Sequence, residues 1–415
     1  MSATTANVYD VLTERGLIVQ ATHDDLRDRL ARPTTVYCGF DPTADSLHVG
    51  SLVPIIALAH LQRAGHRPIV LVGGATGLVG DPSGKTEARQ MLSPEQIEHN
   101  ANAIADQIGR VVSFQSDIQN PALLANNAHW LAEKGWIQML REVGSHFSVN
   151  RMLAMESVKA RLDAGGLTYL EFSYMVMQAY DFLHLHQSHG CTIQLGGQDQ
   201  WGNIVMGIEL GRRLAGAELA GFTLPLVTRA DGGKFGKSEA GNVWLDAART
   251  SAYDFYQFWR NTADADVARF LAWFTFLPMD EVNALTAGTG AELNAAKETL
   301  AYEVTRLVHG QGEADKARDS ARKAFAAGDV TGDAIPHRAL TPDERREGLG
   351  LLKAIVDAGF ASSNSEARRL VQSGAVRLHD EKVSDPTHRI TDADVRDGYV
   401  LLRVGKKRLY RFDAP

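Results

Sequence analysis

A chain of 415 residues, 44% hydrophobic and 22% charged, is long enough for two or three domains with sizeable cores. Its net charge of −7 excludes a protein that coats nucleic acid over its whole surface, although residues 350–415 carry twelve lysines and arginines against nine acids, a local net of +3. Two cysteines, Cys38 and Cys191, exclude a disulfide framework; MSATTANVYDVL lacks a secretory pattern and no run of about 18 residues is uniformly apolar, so the expectation is a cytoplasmic protein without a membrane span.

Short runs rich in β-branched residues, TVYCGF, RPIVLVGG, CTIQLGG and LPLVT, alternate with helical patterns such as LVPIIALAHLQRAG over Leu52–Gly65. This alternation predicts an α/β fold with a parallel sheet covered by helices. Ligands of such sheets sit at the carboxyl ends of the strands. The unusual residues cluster there: GFDPTADSLHVG follows the first run, GGATGLVGDPSGK the second and GGQDQWGN the third. From residue 242 to 335 the texture is helical, and Pro336 and Pro342 mark an expected linker over 336–348. A last unit, 349–415, opens a short helix at SSNSEARRLVQSG, with Ser363 and Glu366 as its capping box and Gly374 as its stop. It continues into a hairpin, VRLHDEKVSD, expected to turn at Asp380 and Glu381.

Two stretches come close to a phosphate-binding loop and miss its spacing. In GLVGDPSGKTE, Val79 stands where the first glycine of GxxxxGK[ST] belongs before Gly84 and Lys85; in DGGKFGKSEAG, Asp231 does. Lys85 reads equally well as part of a turn. Lys234 and Lys237 are two cations on a glycine-rich loop, able to swing onto a polyphosphate or simply solvated. In YCGFDPTADSLHVGS a strand runs into a proline-broken loop bearing Asp41, Thr43, Asp45 and Ser46, then His48 and Gly50 at a helix start, where anions and close backbone approach are favoured. Taken alone, His48 could equally be a helix cap. In EFSYMVMQAYDF, Tyr174, Gln178 and Asp181 fall at i, i+4 and i+7 on one helix face, either solvated or lining a pocket. HLHQSHGC, with His184, His186, His189 and Cys191, fits no standard metal spacing and reads as a helix end at the surface.

In that order on one chain, GFDPTADSLHVGS and KFGKS resemble the HIGH and KMSKS signatures of class I aminoacyl-tRNA synthetases. The longer strings YCGFDPTADSLHVG, GGATGLVGDPSG, EFSYMVMQAYDF, GGQDQWGN and EARRLVQSGAV extend the resemblance to bacterial-type tyrosyl-tRNA synthetases over most of the chain. The resemblance implies a Rossmann-like catalytic domain over 1–241, an α-helical domain approaching the anticodon over 242–335, and a small α+β RNA-binding domain of the alpha-L type over 349–415. It also implies a homodimer. The carboxylate of L-tyrosine would attack the α-phosphate of ATP, release pyrophosphate, and tyrosine would then pass to the 3′ end of tRNA(Tyr). Mg2+ would accompany ATP, with no tightly bound cofactor and no protein metal site.

By the same resemblance, Thr43 and His48 would hold the γ-phosphate, with Lys234, Lys237 and Ser238 closing over the leaving pyrophosphate. Cys38, Gly39, Asp41, Gly50, Ser51, Gly197, Asp199, Gln200 and again Lys237 would line the ATP site. Asp81, Tyr174 and Gln178 would take the tyrosine ammonium, and Tyr37 with Asp181 its phenol hydroxyl. That last pair rejects phenylalanine, which leaves buried polar groups unpaired, and disfavours the rival tryptophanyl specificity. A second rival, a non-catalytic RNA-binding protein on the same scaffold, would be expected to have lost His48 or the lysines. Ser51 stands where HIGH ends in histidine, a hydroxyl able to reach ribose but not to carry charge; Gly236 at the centre of KFGKS adds flexibility. On the C-terminal unit, Arg368, Arg369, Arg377, Lys382, Lys406, Lys407 and Arg408 supply cations for RNA phosphates.

Overall fold

Six strands, β1 (Gln20–Ala21), β2 (Thr35–Phe40), β3 (Arg67–Val72), β4 (Leu123–Asn126), β5 (Cys191–Gly197) and β6 (Ala220–Leu224), form one sheet in the order β1-β6-β5-β2-β3-β4. The computed structural model in which they are seen describes residues 7–83, 92–228, 230, 235–238, 241–326, 335–405 and 408–414, with backbone alone at 237–238 and 324–326. The chain divides into two compact units, Met1–Phe235 with Ala268–Ala284, and Gly236–Val267 with Leu285–Pro415.

In the first unit β2 to β6 are parallel and β1 pairs antiparallel with β6. The parallel strands wind outward in two directions from β2 and β5. Such a reversal opens a crevice outside the carboxyl ends of the two strands, where ligands bind. The parallel core is almost continuously apolar because helices cover both faces. Three expected strands stand where the sequence runs place them. The fourth does not: β6 precedes it and ends at Leu224, the first residue of LPLVT, because Pro225 has no N–H to donate to a ladder. Gly221 within β6 lets the sheet pack against the helix Trp201–Ala215; a Cβ there would lie 2.4 Å from Ile204 Cγ2.

The helix Leu52–Arg63 follows the HIGH-like loop and is held by Leu52, Val53, Ile55, Ile56, Leu58 and Leu61, all essentially inaccessible. Burial of each such side chain contributes about 1.5–3 kcal/mol relative to exposure. The helix Tyr169–His189 starts at a capping box between Thr168 and Glu171 and stops at Gly190, whose φ of 63° only glycine adopts cheaply. It lies across the sheet and packs on Trp201–Ala215. At their crossing Gly207 brings the backbones together, since a Cβ there would lie 3.1 Å from the Phe182 ring. Among the described residues no helix is long and apolar enough to cross a membrane.

In the second unit the helices Ala252–Arg260, Leu293–His309 and Gln311–Ala326 pack together, as the helical texture predicts. The C-terminal sheet orders its strands as Glu381–Lys382, Val376–Leu378, Tyr399–Val404, Arg408–Asp413 and His337–Ala339. Its core joins Leu351 and Ile355 on one helix and Val371 on another to Val376, Val400, Leu402 and Phe412.

Two expectations need correction here. Residues 336–348 are not a bare linker: His337–Ala339 adds a parallel strand to the sheet and Pro342–Glu347 is a helix. Pro342 sits in the first helical turn, where its missing N–H costs nothing, behind a capping box between Thr341 and Glu344. Arg338 then ties the segment down, donating to Glu344 at 2.7 Å and to Asp357 at 2.8 Å. The hairpin also turns one residue early, at His379 and Asp380 between the paired strands, with His379 at a φ of 52°.

Candidate active site

The carboxyl ends of β2 and β5 meet at the reversal of the sheet. Tyr37 of β2 and Gln194 of β5 are register partners there, 1% and 2% exposed. Neither the Tyr37 hydroxyl nor Gln194 Oε1 has a hydrogen-bond partner among the described residues, although both atoms are buried. An orphaned buried polar group costs about 1–3 kcal/mol. Burial, and next the charge of Asp181, push the Tyr37 hydroxyl well above its ordinary pKa, so it stays a neutral donor.

Asp181 lies on the helix Tyr169–His189 and is 1% exposed. Asn127 Nδ2 donates to its Oδ2 at 3.0 Å and Trp130 Nε1 to its Oδ1 at 2.8 Å. Burial raises its carboxyl to about 7, against the pull of those two donors toward a lower value. Asn127 also donates to Thr76 Oγ1 at 2.9 Å, and Thr76 donates to Asp41 Oδ1 at 2.8 Å. Tyr174 closes this network by donating its hydroxyl to Asp41 Oδ2 at 2.9 Å. Gly73 is required at this corner, since a Cβ would lie 2.1 Å from Asp41 Oδ1.

A second network joins Asp81, Gln178, Gln200 and Asn203. Gln200 Nε2 donates to Asp81 Oδ2 at 2.7 Å, while Asn203 Nδ2 donates to both Gln178 Oε1 and Gln200 Oε1 at 3.1 Å. The Gln178 and Gln200 side-chain carbonyls and the Asp81 carboxylate are acceptors, the kind of group an ammonium needs. Burial, followed by the charges of Asp41 and Asp81, raises Tyr174 well above its usual value. Asp199 is raised by burial and then by Asp81. Gly196 and Gly197 let Asp199 and Gln200 fold back over the strand end; Cβ atoms there would lie 2.9 Å from Gln200 Cβ and 2.5 Å from Asp199 Oδ1.

The loop after β2 carries the remaining expected groups. Cys38 is buried, its thiol pushed up to about 12 by burial, whereas Gly39 and Thr43 are exposed. His48 accepts the Gly50 N–H at its Nδ1, 3.0 Å away, which places the proton of the neutral ring on Nε2. A Cβ on Gly50 would lie 2.8 Å from His48 Cε1, so the glycine makes room for the imidazole. Ser51 precedes the helix Leu52–Arg63 without a side-chain capping bond.

The structure therefore links Asp41, Tyr174 and Asp181 in one hydrogen-bonded network and Asp81, Gln178 and Gln200 in another, with the buried Tyr37 hydroxyl within electrostatic reach of Asp181. Asp41, expected on the ATP side, is also joined to Tyr174. Lys234 and Lys85 lie outside the described residues. Lys237 and Ser238 are described by backbone only, as a strand paired with Gly241–Asn242 in the second unit. Phe235, just before them, packs edge-to-face on Phe270 and parallel to Phe274. Sequence reading missed Thr76, Asn127, Trp130, Gln194 and Asn203. The signal available for two of them was NNAHW, which follows β4 at the same edge of the sheet.

Arg368 and Arg369 are exposed on the helix Asn364–Gln372, and Arg377 and Lys382 face each other as exposed register partners. Lys406 and Lys407 lie outside the described residues. Arg408 is partly buried beside Phe360, donating to its carbonyl oxygen at 3.2 Å.

A family model described as class I tRNA synthetases (W and Y) matches residues 29–326, and one described as the tyrosine–tRNA ligase SYY-like C-terminal domain matches residues 333–412. The chain is 47% identical over 408 residues to a tyrosine–tRNA ligase of Clostridium kluyveri and 48% identical over 410 residues to one of Clostridium beijerinckii, in each case covering 98% of this chain and 99% of the relative. Among solved structures it resembles a C-terminally truncated mitochondrial tyrosyl-tRNA synthetase of Aspergillus nidulans, with a TM-score of 0.69 at 31% identity over 77% of this chain and 94% of that one. The doubly wound sheet and the C-terminal sheet thus fall within one known lineage, and the chain belongs to the class I aminoacyl-tRNA synthetases, in the tyrosine–tRNA ligase family.

Proposed function

We propose that the crevice takes L-tyrosine with its phenol hydroxyl against Tyr37 and Asp181 and its ammonium against Asp81, Tyr174 and Gln178. The observation that carries this reading is the buried, unpartnered Tyr37 hydroxyl close to the buried Asp181 carboxylate. A phenol can accept from the first and donate to the second. A phenylalanine ring leaves both unanswered, and an indole brings its N–H on a larger ring system.

Mg2+ enters with ATP as part of the substrate, held by phosphate oxygens and water. The nucleotide lies along Cys38, Gly39, Asp41, Gly50, Ser51, Gly197, Asp199 and Gln200, with its phosphates toward Thr43 and His48. A tyrosine carboxylate oxygen forms a bond to the α-phosphorus as the bond to the bridging oxygen breaks, and pyrophosphate leaves. No side chain attacks. His48 Nε2–H and the Thr43 hydroxyl donate to the γ-phosphate, and Lys234, Lys237 and Ser238 stabilise the departing pyrophosphate. The terminal ribose hydroxyl of tRNA(Tyr) then displaces AMP from the tyrosyl carbonyl. Exposed Arg368, Arg369, Arg377 and Lys382, with Lys406 and Lys407, hold the RNA backbone.

The working unit is a cytoplasmic homodimer. Trp136 and Tyr169 meet edge-to-face at 6.1 Å while remaining 58% and 62% exposed, with Ile137 65% exposed beside them, an apolar face suited to a second copy. A monomer mass in sedimentation equilibrium would contradict this. The chemistry itself is tested by rapid-quench mixing of the protein with Mg·ATP and labelled tyrosine. Enzyme-bound tyrosyl-adenylate is expected, and its absence would sink the reading.

A further inference from the structure

HLHQSHGC offers three histidines at the end of the helix Tyr169–His189, and they do different things. His186 Nδ1 meets the Cys191 carbonyl oxygen at 3.0 Å and closes the helix end, while His189 is exposed. His184 is half-buried, its ring centroid 4.2 Å from that of Trp130 with 17° between the planes. Trp130 sits on the short helix Ala128–Leu131 after β4, and it is the residue whose indole N–H donates to Asp181 Oδ1 at 2.8 Å.

We infer that His184 is a positioning residue for tyrosine recognition, stacking on Trp130 so that the indole N–H stays on the Asp181 carboxylate. The geometry supports this in three ways. Asp181 and His184 are three residues apart on one helix and therefore face the same side. The indole spans the gap, bound by its edge to the first and by its face to the second. Trp130 is only partly buried, so the stack supplies a large share of what fixes its ring. Lys134, which donates to the Tyr180 hydroxyl at 3.1 Å, also helps keep His184 uncharged: burial first, then His189 and Lys134, lower the pKa of its imidazole.

The inference rests on the reading that Asp181 takes the substrate phenol, and the test separates the two. ATP–pyrophosphate exchange is measured with tyrosine and with phenylalanine on full-length His184→Ala, His184→Phe and Asp181→Ala proteins. His184→Ala is expected to raise KM for tyrosine about two- to tenfold, the range that removal of an aromatic stack spans, with KM for ATP and the phenylalanine reaction unchanged. His184→Phe restores the stack and the preference. In a Trp130→Phe background, His184→Ala brings no further loss of preference, since the N–H it positions is already gone. Preference kept in His184→Ala but lost in Asp181→Ala would overturn the inference and leave the phenol assignment standing. Preference kept in both would remove the assignment and the inference with it. Equal loss for both amino acids would show a merely structural role and overturn the inference as well.

Discussion

Trp130 and Asn127 each take one oxygen of Asp181, at 2.8 and 3.0 Å, so the carboxylate is oriented before any substrate arrives. Those two bonds do not offset its burial, and its carboxyl stands at about 7 instead of the ordinary 3.8. The free enzyme therefore holds a proton on Asp181 between roughly pH 4 and 7 that the unfolded chain has lost, and this group's contribution to stability falls as pH rises through that window. On the proposed reading recognition runs the other way, because the phenol would donate to the ionised form. The ratio of kcat/KM for tyrosine to that for phenylalanine should rise with pH up to about 7 and level off above it. A ratio independent of pH between about 5.5 and 8.5 would exclude Asp181 as the phenol partner.

Tyr37→Phe separates recognition from stability. Because the Tyr37 hydroxyl has no partner among the described residues, its removal should leave the melting temperature unchanged or raise it. Loss of one neutral hydrogen bond to the substrate should lower kcat/KM for tyrosine about two- to twelvefold, from a contribution of about 0.5–1.5 kcal/mol. Calorimetry and steady-state kinetics on one preparation decide the matter; a drop in melting temperature with intact kinetics would make Tyr37 a packing residue.

On the proposed reading, the exposed cations of the C-terminal domain act on RNA alone. Replacing Arg368, Arg369, Arg377 and Lys382 by glutamine should raise KM for tRNA in charging and reduce the salt dependence of RNA binding by about one unit of slope for each phosphate no longer neutralised. Pyrophosphate exchange should not change. A loss of exchange would contradict this division between the two ends of the chain.

Much of the pocket was legible because its residues are close in sequence. Tyr174, Gln178 and Asp181 lie on one helix, and the period of 3.6 alone puts them on one face. Asn127 and Trp130 were not legible: they reach Asp181 across 54 and 51 residues, a pairing that only the sheet order creates. Gln194 was hidden for the same reason, as β2 and β5 become neighbours through a crossover of more than 150 residues between Tyr37 and Gln194. The segment 336–348 was misread for a local reason. Its prolines suggested a linker, yet Thr341, Pro342 and Glu344 form a helix start, and the strand before it has no pattern of its own until Arg408–Asp413 pairs with it.

The central claim is that this pocket activates tyrosine and that the KFGKS loop drives the step. Tyrosine-dependent ATP–pyrophosphate exchange by the purified protein, with phenylalanine and tryptophan as competitors and Lys237→Ala alongside, tests it most directly. Exchange with tyrosine alone, with kcat reduced at least a hundredfold in Lys237→Ala as for removal of a transition-state interaction of about 2.7–4 kcal/mol, is the expected result. Exchange supported equally by another of the three amino acids, or undiminished in Lys237→Ala, would contradict the account.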